Sequence, residues 1–347
     1  MSPAASLSGT GGQEAWVNLN FEFFFNNLPS LTVTGLAFGA IYALIALGYT
    51  MVYGVLQLIN FAHSEVFMYG TFAMLWTVIA LGAREADGVT LVAIMVAALF
   101  AAMAMSGLVA LLLERVAYRP LIRRNAPRLI ALISAIGASF VLAELMGLRD
   151  RIAEWFGLKD DLGAYVNKAK INNSMAGVIE APRWEVAGVR ISSIDVLVIV
   201  AAILMMVALD QFVRRSRLGK GIRATAQDSE TASLMGVNPT RTIQVTFLIG
   251  GLMAGVAAFL YMLKIETTKY DVGFLLGVKA FTAAVLGGIG NLRGALLGGL
   301  VLGVAENWGS AILGSEWRDV IAFVLLVLIL LFRPTGLLGE SLGKARA

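Results

Sequence analysis

The sequence contains no cysteine and a single histidine, His63. The first absence excludes disulfide bridges and thiolate metal sites, and the second excludes multi-histidine metal centres. Charge is scarce as well: Asp, Glu, Lys and Arg make up 14% of the 347 residues. An ordinary soluble domain carries about a quarter. No Lys or Arg precedes Arg84, so the basic n-region of a cleavable signal is missing. A phosphate-cradling Walker A loop is absent too. Lys220 has glycines on both sides, but Arg214 stands where the loop would need its first glycine. No nucleophile–base constellation and no metal-ligand spacing occurs, so no catalytic residue and no bound cofactor are expected.

What is present is apolar. Hydrophobic residues reach 58% and the mean hydropathy is +0.79. The expected fold class is an all-α, polytopic transmembrane helical bundle in contact with membrane lipid. A bilayer crossing needs about 20 apolar residues. Apolar runs at 31–55, 65–82, 89–113, 129–148, 194–213, 242–263, 276–290, 295–313 and 318–332 give eight or nine spans, some short or broken. Residues 1–30 form a polar, then aromatic segment, in which Trp16 to Asn27 suits the membrane interface. Residues 31–340 form the membrane domain, and 341–347 a short tail. Thirty-seven glycines cluster on the spans. Gly35 and Gly39, then Gly294, Gly298, Gly299 and Gly303, are spaced for close helix packing.

Orientation follows from the positive residues, which resist translocation. Glu114 to Arg128 carries five Arg against one Glu, and the 214–241 loop carries six basic residues against two acidic ones. Both are expected in the cytoplasm. Residues 149–193 hold seven basic and six acidic residues and suit the external side, with room for small helices of their own. Counting back places the N-terminus outside.

Within the 214–241 loop, Thr225-Ala-Gln-Asp228 reads as a capping box opening a short helix from Ala226 to Met235. Gly236 is placed to end that helix and Pro239 to block its continuation. Two readings fit the loop: a basic anchor that fixes topology, or a surface helix that a partner grips.

Several polar residues fall inside apolar runs. The stretch Tyr53 to Glu65 contains Gln57, Asn60, His63, Ser64 and Glu65 without a Lys or Arg. It fits a turn at the inner surface, with Glu65 near a helix N-terminus. It fits equally a broken helix lining a cavity. Glu144 and Glu306 sit within the fourth and eighth spans. An ionisable group in hydrocarbon costs a few kcal/mol, so each should face protein or water. Lys279 is placed to pair with an acid or to snorkel outward. Asn60, His63, Glu65, Glu144 and Glu306 are the candidates for a translocation pathway.

The segments INFAHSE (59–65), RATAQDSETASLMG (223–236), VLGGIGNLRGALLGG (285–299) and LFRPTGLLG (331–339) together resemble the LivH-type permeases, the membrane subunits of ABC importers for branched-chain amino acids. The resemblance covers roughly residues 31–340. Ser64 stands where the family usually has glycine, and Arg293 where it commonly has proline, so the turn there is expected to differ. Leu7-Ser-Gly-Thr-Gly-Gly-Gln13 only echoes the ABC ATPase signature LSGGQ. The resemblance implies a bacterial inner-membrane importer that includes a second, related permease and an external solute-binding protein. Two cytoplasmic ATPases would carry the ATP and Mg, and no nucleic acid would be involved. It also implies that Arg223, Ala226, Asp228, Ala232, Leu234, Met235 and Gly236 form the ATPase-coupling helix. Close relatives of the family handle urea or short amides, which is one alternative cargo. A stand-alone secondary transporter is another reading, although it would have no use for an ATPase dock.

The charge pattern is tested by single cysteines in the cysteine-free chain. At Asn172 a cysteine should react with an impermeant thiol reagent in intact cells, and at Ser229 it should react only after permeabilisation. The reverse pattern would refute the orientation.

Overall fold

The computed structural model describes residues 20–339, except 125, 167–168, 180–181 and 187–188. The Leu7–Gln13 run, the first residues of the aromatic segment and the 341–347 tail lie outside the described residues. In chain order the helices are α1 (Phe21–Leu56), α2 (His63–Ala80), α3 (Gly88–Arg123) and α4 (Arg128–Gly147). A segment of short elements follows, with α5 (Arg149–Trp155), α6 (Gly163–Val166), β1 (Asn173–Ser174), β2 (Arg183–Val186) and β3 (Val189–Ser192). Then come α7 (Ser193–Arg215), α8 (Arg217–Gln227), α9 (Ser229–Leu234) and α10 (Pro239–Ile265). The chain closes with β4 (Thr267–Thr268), α11 (Val272–Gly287), α12 (Leu292–Leu313) and α13 (Arg318–Phe332).

Each apolar run read from the sequence is helical, and the protein is an all-α polytopic bundle. Six of the described helices are long and apolar enough to cross a membrane: α1, α3, α4, α7, α10 and α12. Helices α2, α11 and α13 are shorter, with 18, 16 and 15 residues. Two helices overrun the expected bounds. The aromatic segment is, from Phe21, the start of α1, whose 36 residues give about 54 Å of helix against about 30 Å of hydrocarbon. Asn20 caps it by accepting from the Phe23 N–H at 3.0 Å. The basic stretch after residue 113 is not a loop at first but a π turn (Glu114–Tyr118) that carries α3 on to Arg123. Glu114 holds Arg119 through two hydrogen bonds of 3.1 and 2.7 Å, which fixes that turn.

From Gly39 to Val52 every residue of α1 is buried, so this helix is apolar on all sides and the others surround it. The glycines make the approach possible. A Cβ on Gly39 would lie 2.5 Å from the Gly299 oxygen, and one on Gly35 would lie 2.8 Å from the Val304 Cα. Helices α3 and α10 cross in the same manner, with a Cβ on Gly255 falling 2.5 Å from the Met103 Cα. Outside this core, α4 and α7 turn most of their apolar surface outward, including Leu129, Phe140 and Leu204. That surface suits lipid.

Pairings between distant segments agree with the orientation read from charge. Strand β1 of the 149–193 segment pairs antiparallel with β4, Asn173 opposite Thr268, so both belong to one side. Strands β2 and β3 pair antiparallel with each other in a separate two-stranded sheet. At the opposite end Arg293 meets Asp210 of α7 at 3.1 Å, joining the 291–294 turn to the end of α7 that leads into the 214–241 loop. The Arg293 N–H also donates to its own cap, Asn291, at 3.0 Å, a bond that a proline at this position would lose. The tail ties in here too: the Leu337 N–H donates to the Leu286 carbonyl at 2.8 Å.

Leucine at Gly303, which packs directly on Gly35 and Gly39, should prevent the α1–α12 crossing. Overpacking at such a contact costs about 1–3 kcal/mol or more. Yield of monodisperse purified protein should collapse for Gly303→Leu and hold for Gly137→Leu, where nothing lies within reach.

Candidate functional site

The loop between α7 and α10 folds as two consecutive capped helices. Ser216 caps α8 by accepting from the Gly219 N–H at 2.8 Å. The capping box expected at Thr225 does not form. Thr225 is a buried residue inside α8, because the helix that Ser216 starts continues through it to Gln227. Asp228 is the cap of the next helix, α9. Its Oδ1 accepts from the N–H groups of Glu230 (2.9 Å) and Thr231 (3.1 Å), and its Oδ2 from the Thr231 hydroxyl at 2.5 Å. The Thr231 hydroxyl, more than the backbone groups, holds the Asp228 carboxyl below its usual range. The cap is therefore intact above that range and fails only as pH falls through the lowered pKa. Gly236, at φ +85°, ends α9, and Pro239 opens α10 behind the Asn238 cap.

The residues expected to form the coupling helix thus divide. Arg223 and Ala226 belong to α8, and Arg223 donates to the Arg214 carbonyl at 3.3 Å. Ala232 is buried against the protein itself at 4% exposure, whereas Leu234 and Met235 are 83% and 81% exposed. The apolar surface offered outward is Leu234 and Met235.

The break between α1 and α2 starts at an exposed Gln57 and runs into the protein, where Asn60 and Ala62 are buried. Gln57 ends α1 in the left-handed conformation (φ 51°), and α2 restarts at His63. His63 fills the space that a Cβ on Gly48 would take, and its Cε1 stands 3.6 Å from the Cβ position of Gly250. Gly250 is 11 residues from the start of α10 and 15 from its end, about 16 and 22 Å along the helix. Asn60, His63, Ser64 and Glu65 are buried at 2, 1, 3 and 0% exposure. The stretch thus combines an exposed end at Gln57 with buried polar residues from Asn60 to Glu65, features of both readings. Ser64 takes ordinary helical geometry, its hydroxyl donating to the Phe61 carbonyl at 2.9 Å.

Three polar neighbours of this break were not legible in the sequence. The Tyr118 hydroxyl donates to Asn60 Oδ1 at 3.0 Å, and Ser139 to Glu65 Oε1 at 3.1 Å. The Tyr49 ring lies edge-on to His63, centroids 5.0 Å apart. Their partners are 58, 74 and 14 positions away, and no local pattern marks them. Asn60 Nδ2, His63 Nε2 and Glu65 Oε2 have no hydrogen-bond partner among the described residues.

The other two carboxylates lie elsewhere. Glu144 is half-exposed and pairs with Lys170 at 2.7 Å. Glu306, 1% exposed, pairs with Lys279, which also meets Asp319 at 2.6 Å. Arg318 approaches Glu306 at 3.6 Å and donates to Asn307 at 3.1 Å. This cluster binds α11, α12 and α13 together. Lys279 and Asp319 also line a cavity of about 360 Å3 with β4 and the first turns of α11.

A bundle with a broken helix, apolar surface turned outward on α4 and α7 and a short capped helix ending at exposed Leu234 and Met235 is a multi-pass membrane protein, and comparison with known proteins places it among transport subunits. The family model described as branched-chain amino acid transport system, permease component, matches residues 31–330. The high-affinity branched-chain amino acid transport system permease protein BraD of Pseudomonas aeruginosa is 44% identical over 308 residues, covering 89% of this chain and 94% of BraD. LivH of Escherichia coli, of the same description, is 42% identical over 307 residues, 88% of this chain and 94% of LivH. A probable LivH of Methanocaldococcus jannaschii is 26% identical over 310 residues, 87% and 90% of the two chains. The chain belongs to the branched-chain amino acid transport system permease family.

The two kinds of carboxylate should respond differently to removal. Glu306→Ala leaves Lys279 buried beside an ally that is half in solvent, and breaking such a pair costs about 3–5 kcal/mol. Glu144→Ala removes an exposed pair worth about 1 kcal/mol or less. Thermal unfolding of the purified variants should show a large loss for the first and little for the second.

Proposed function

We propose that this chain is a permease subunit of an ABC importer that moves branched-chain amino acids inward. Two cytoplasmic ATPases supply the energy, and a second permease of related fold and an external solute-binding protein complete the importer. The observation that carries the reading is family membership over 300 residues, joined to relatives above 40% identity whose descriptions name this transport. The ATPases hold ATP and Mg, and this chain supplies the docking helix. Helix α9 suits that role because it is capped at both ends and presents Leu234 and Met235 to a partner. Its neighbours α8 and α10 are positioned to carry motion of the dock into the membrane. The polar break at Asn60, His63 and Glu65 lies on the path, where unpartnered groups take up polar atoms of a passing solute. Glu144 and Glu306 act in structure. The same exposed helix disfavours a carrier working alone, and the close relatives disfavour urea or short amides.

The test uses the complete importer in cells and as purified complex. Leucine uptake should be inhibited by excess isoleucine or valine and not by urea. Leu234→Asp and Met235→Asp remove apolar contact worth about 1.5–3 kcal/mol each, so ATPase recruitment should weaken about ten- to a hundred-fold. The permease should still insert. Wild-type recruitment and uptake in both variants would leave the loop as a topological anchor only.

A further inference from the structure

We propose that the cavity between β4, α11 and the first turn of α13 is a binding site for the zwitterion of a free amino acid with an aliphatic side chain. The inference rests on the cargo class proposed above and adds a place and residues for it. At about 360 Å3 the cavity falls in the range of small-molecule sites. It opens beside β4, which pairs with β1 of the external segment, so it faces the side from which an importer receives its cargo.

The lining matches the chemistry of such a ligand in three parts. Lys279 is 6% exposed and holds two carboxylates, the buried Glu306 and the half-exposed Asp319. A ligand carboxylate takes the place of Asp319 on the Lys279 amine while Glu306 stays. The released Asp319 carboxylate then accepts the ligand ammonium. A second pair at the rim, Lys269 and Asp271 at 2.9 Å, repeats the same two charges. Val272, Leu275 and Leu276 add an apolar wall for the side chain. A zwitterion exchanges one balanced set of pairs for another. An ion of single sign leaves one buried or half-buried charge without its partner, which is the costly outcome.

The cavity also adjoins the polar break. Val272 lines it, and the next residue, Gly273, abuts Glu65, whose unpartnered Oε2 is 2.6 Å from the Cβ position of that glycine. Gly273 is six residues before Lys279, about 9 Å along α11, so Glu65 borders the β4 end of the cavity.

Thermal unfolding of the purified full-length chain in detergent, titrated with L-leucine, tests the site, since a ligand of the native state raises the midpoint saturably. Leucinamide, which lacks the carboxylate, and 4-methylpentanoate, which lacks the ammonium, should need about ten-fold more ligand or greater, the loss of one charge-assisted contact. Asp319→Asn should shift leucine half-saturation by a similar factor and Asp319→Glu should restore it. Leu275→Trp, on an exposed part of the wall, should abolish the response by filling the space without touching the charge cluster. No leucine response in the wild-type chain, or an unchanged one in both Asp319→Asn and Leu275→Trp, overturns the site. If the complete importer still takes up leucine in that event, the cargo reading stands and only the location is wrong. If the wild-type importer takes up no leucine, the cargo reading itself fails.

Discussion

The close approach of α1 and α12 is the contact on which the rest of the fold depends. In a bilayer the lipid tails are as apolar as the helices, so association relies on dense packing rather than on escape from water. Gly35 and Gly39 against Gly299 and Gly303 let the two backbones meet with no side chains between them. That contact puts α1 at the centre, buried from Gly39 to Val52. With α1 fixed there, the start of α2 is enclosed as well, and His63 lodges against Gly48 and Gly250.

Charge is handled in two ways inside this frame. Glu306 and Lys279 are taken out of water together and held by Asp319 and Arg318, an arrangement in which each ion finds a partner. The break instead keeps one free polar atom on each of Asn60, His63 and Glu65. The first cluster locks three helices together. On the proposed reading the second provides steps for a polar solute, and the external cavity beside Gly273 joins the two.

The loop between α7 and α10 shows how a short helix is held in place. Ser216, Asp228 and Asn238 each cap one helix with a side-chain oxygen, so three helices follow one another with little slack. Ala232 anchors α9 to the protein, which leaves Leu234 and Met235 free to project. On the proposed reading, a dock built this way moves with the helices that flank it.

The sequence alone determined the membrane class and the positions of the apolar helices, and its loop charges set the orientation expected for them. Those features follow from local composition: span length, the placement of Lys and Arg, and glycine spacing are all written in contiguous residues. It also singled out Asn60, His63 and Glu65 as a group, because polar residues without Lys or Arg stand out in an apolar chain. Cap positions were less legible, since Thr225 and Asp228 are both capable caps and only the run of α8 from Ser216 decided between them. The tertiary structure alone decided that Asn60, His63 and Glu65 are buried, that Glu144 is a surface pair and Glu306 an interior one, and that Ala232 faces inward. It alone brought Tyr118 and Ser139 to the break and Asp319 to Lys279. Burial and partnership depend on residues far apart in the chain meeting across helix crossings, and no window of sequence contains both sides of such a contact.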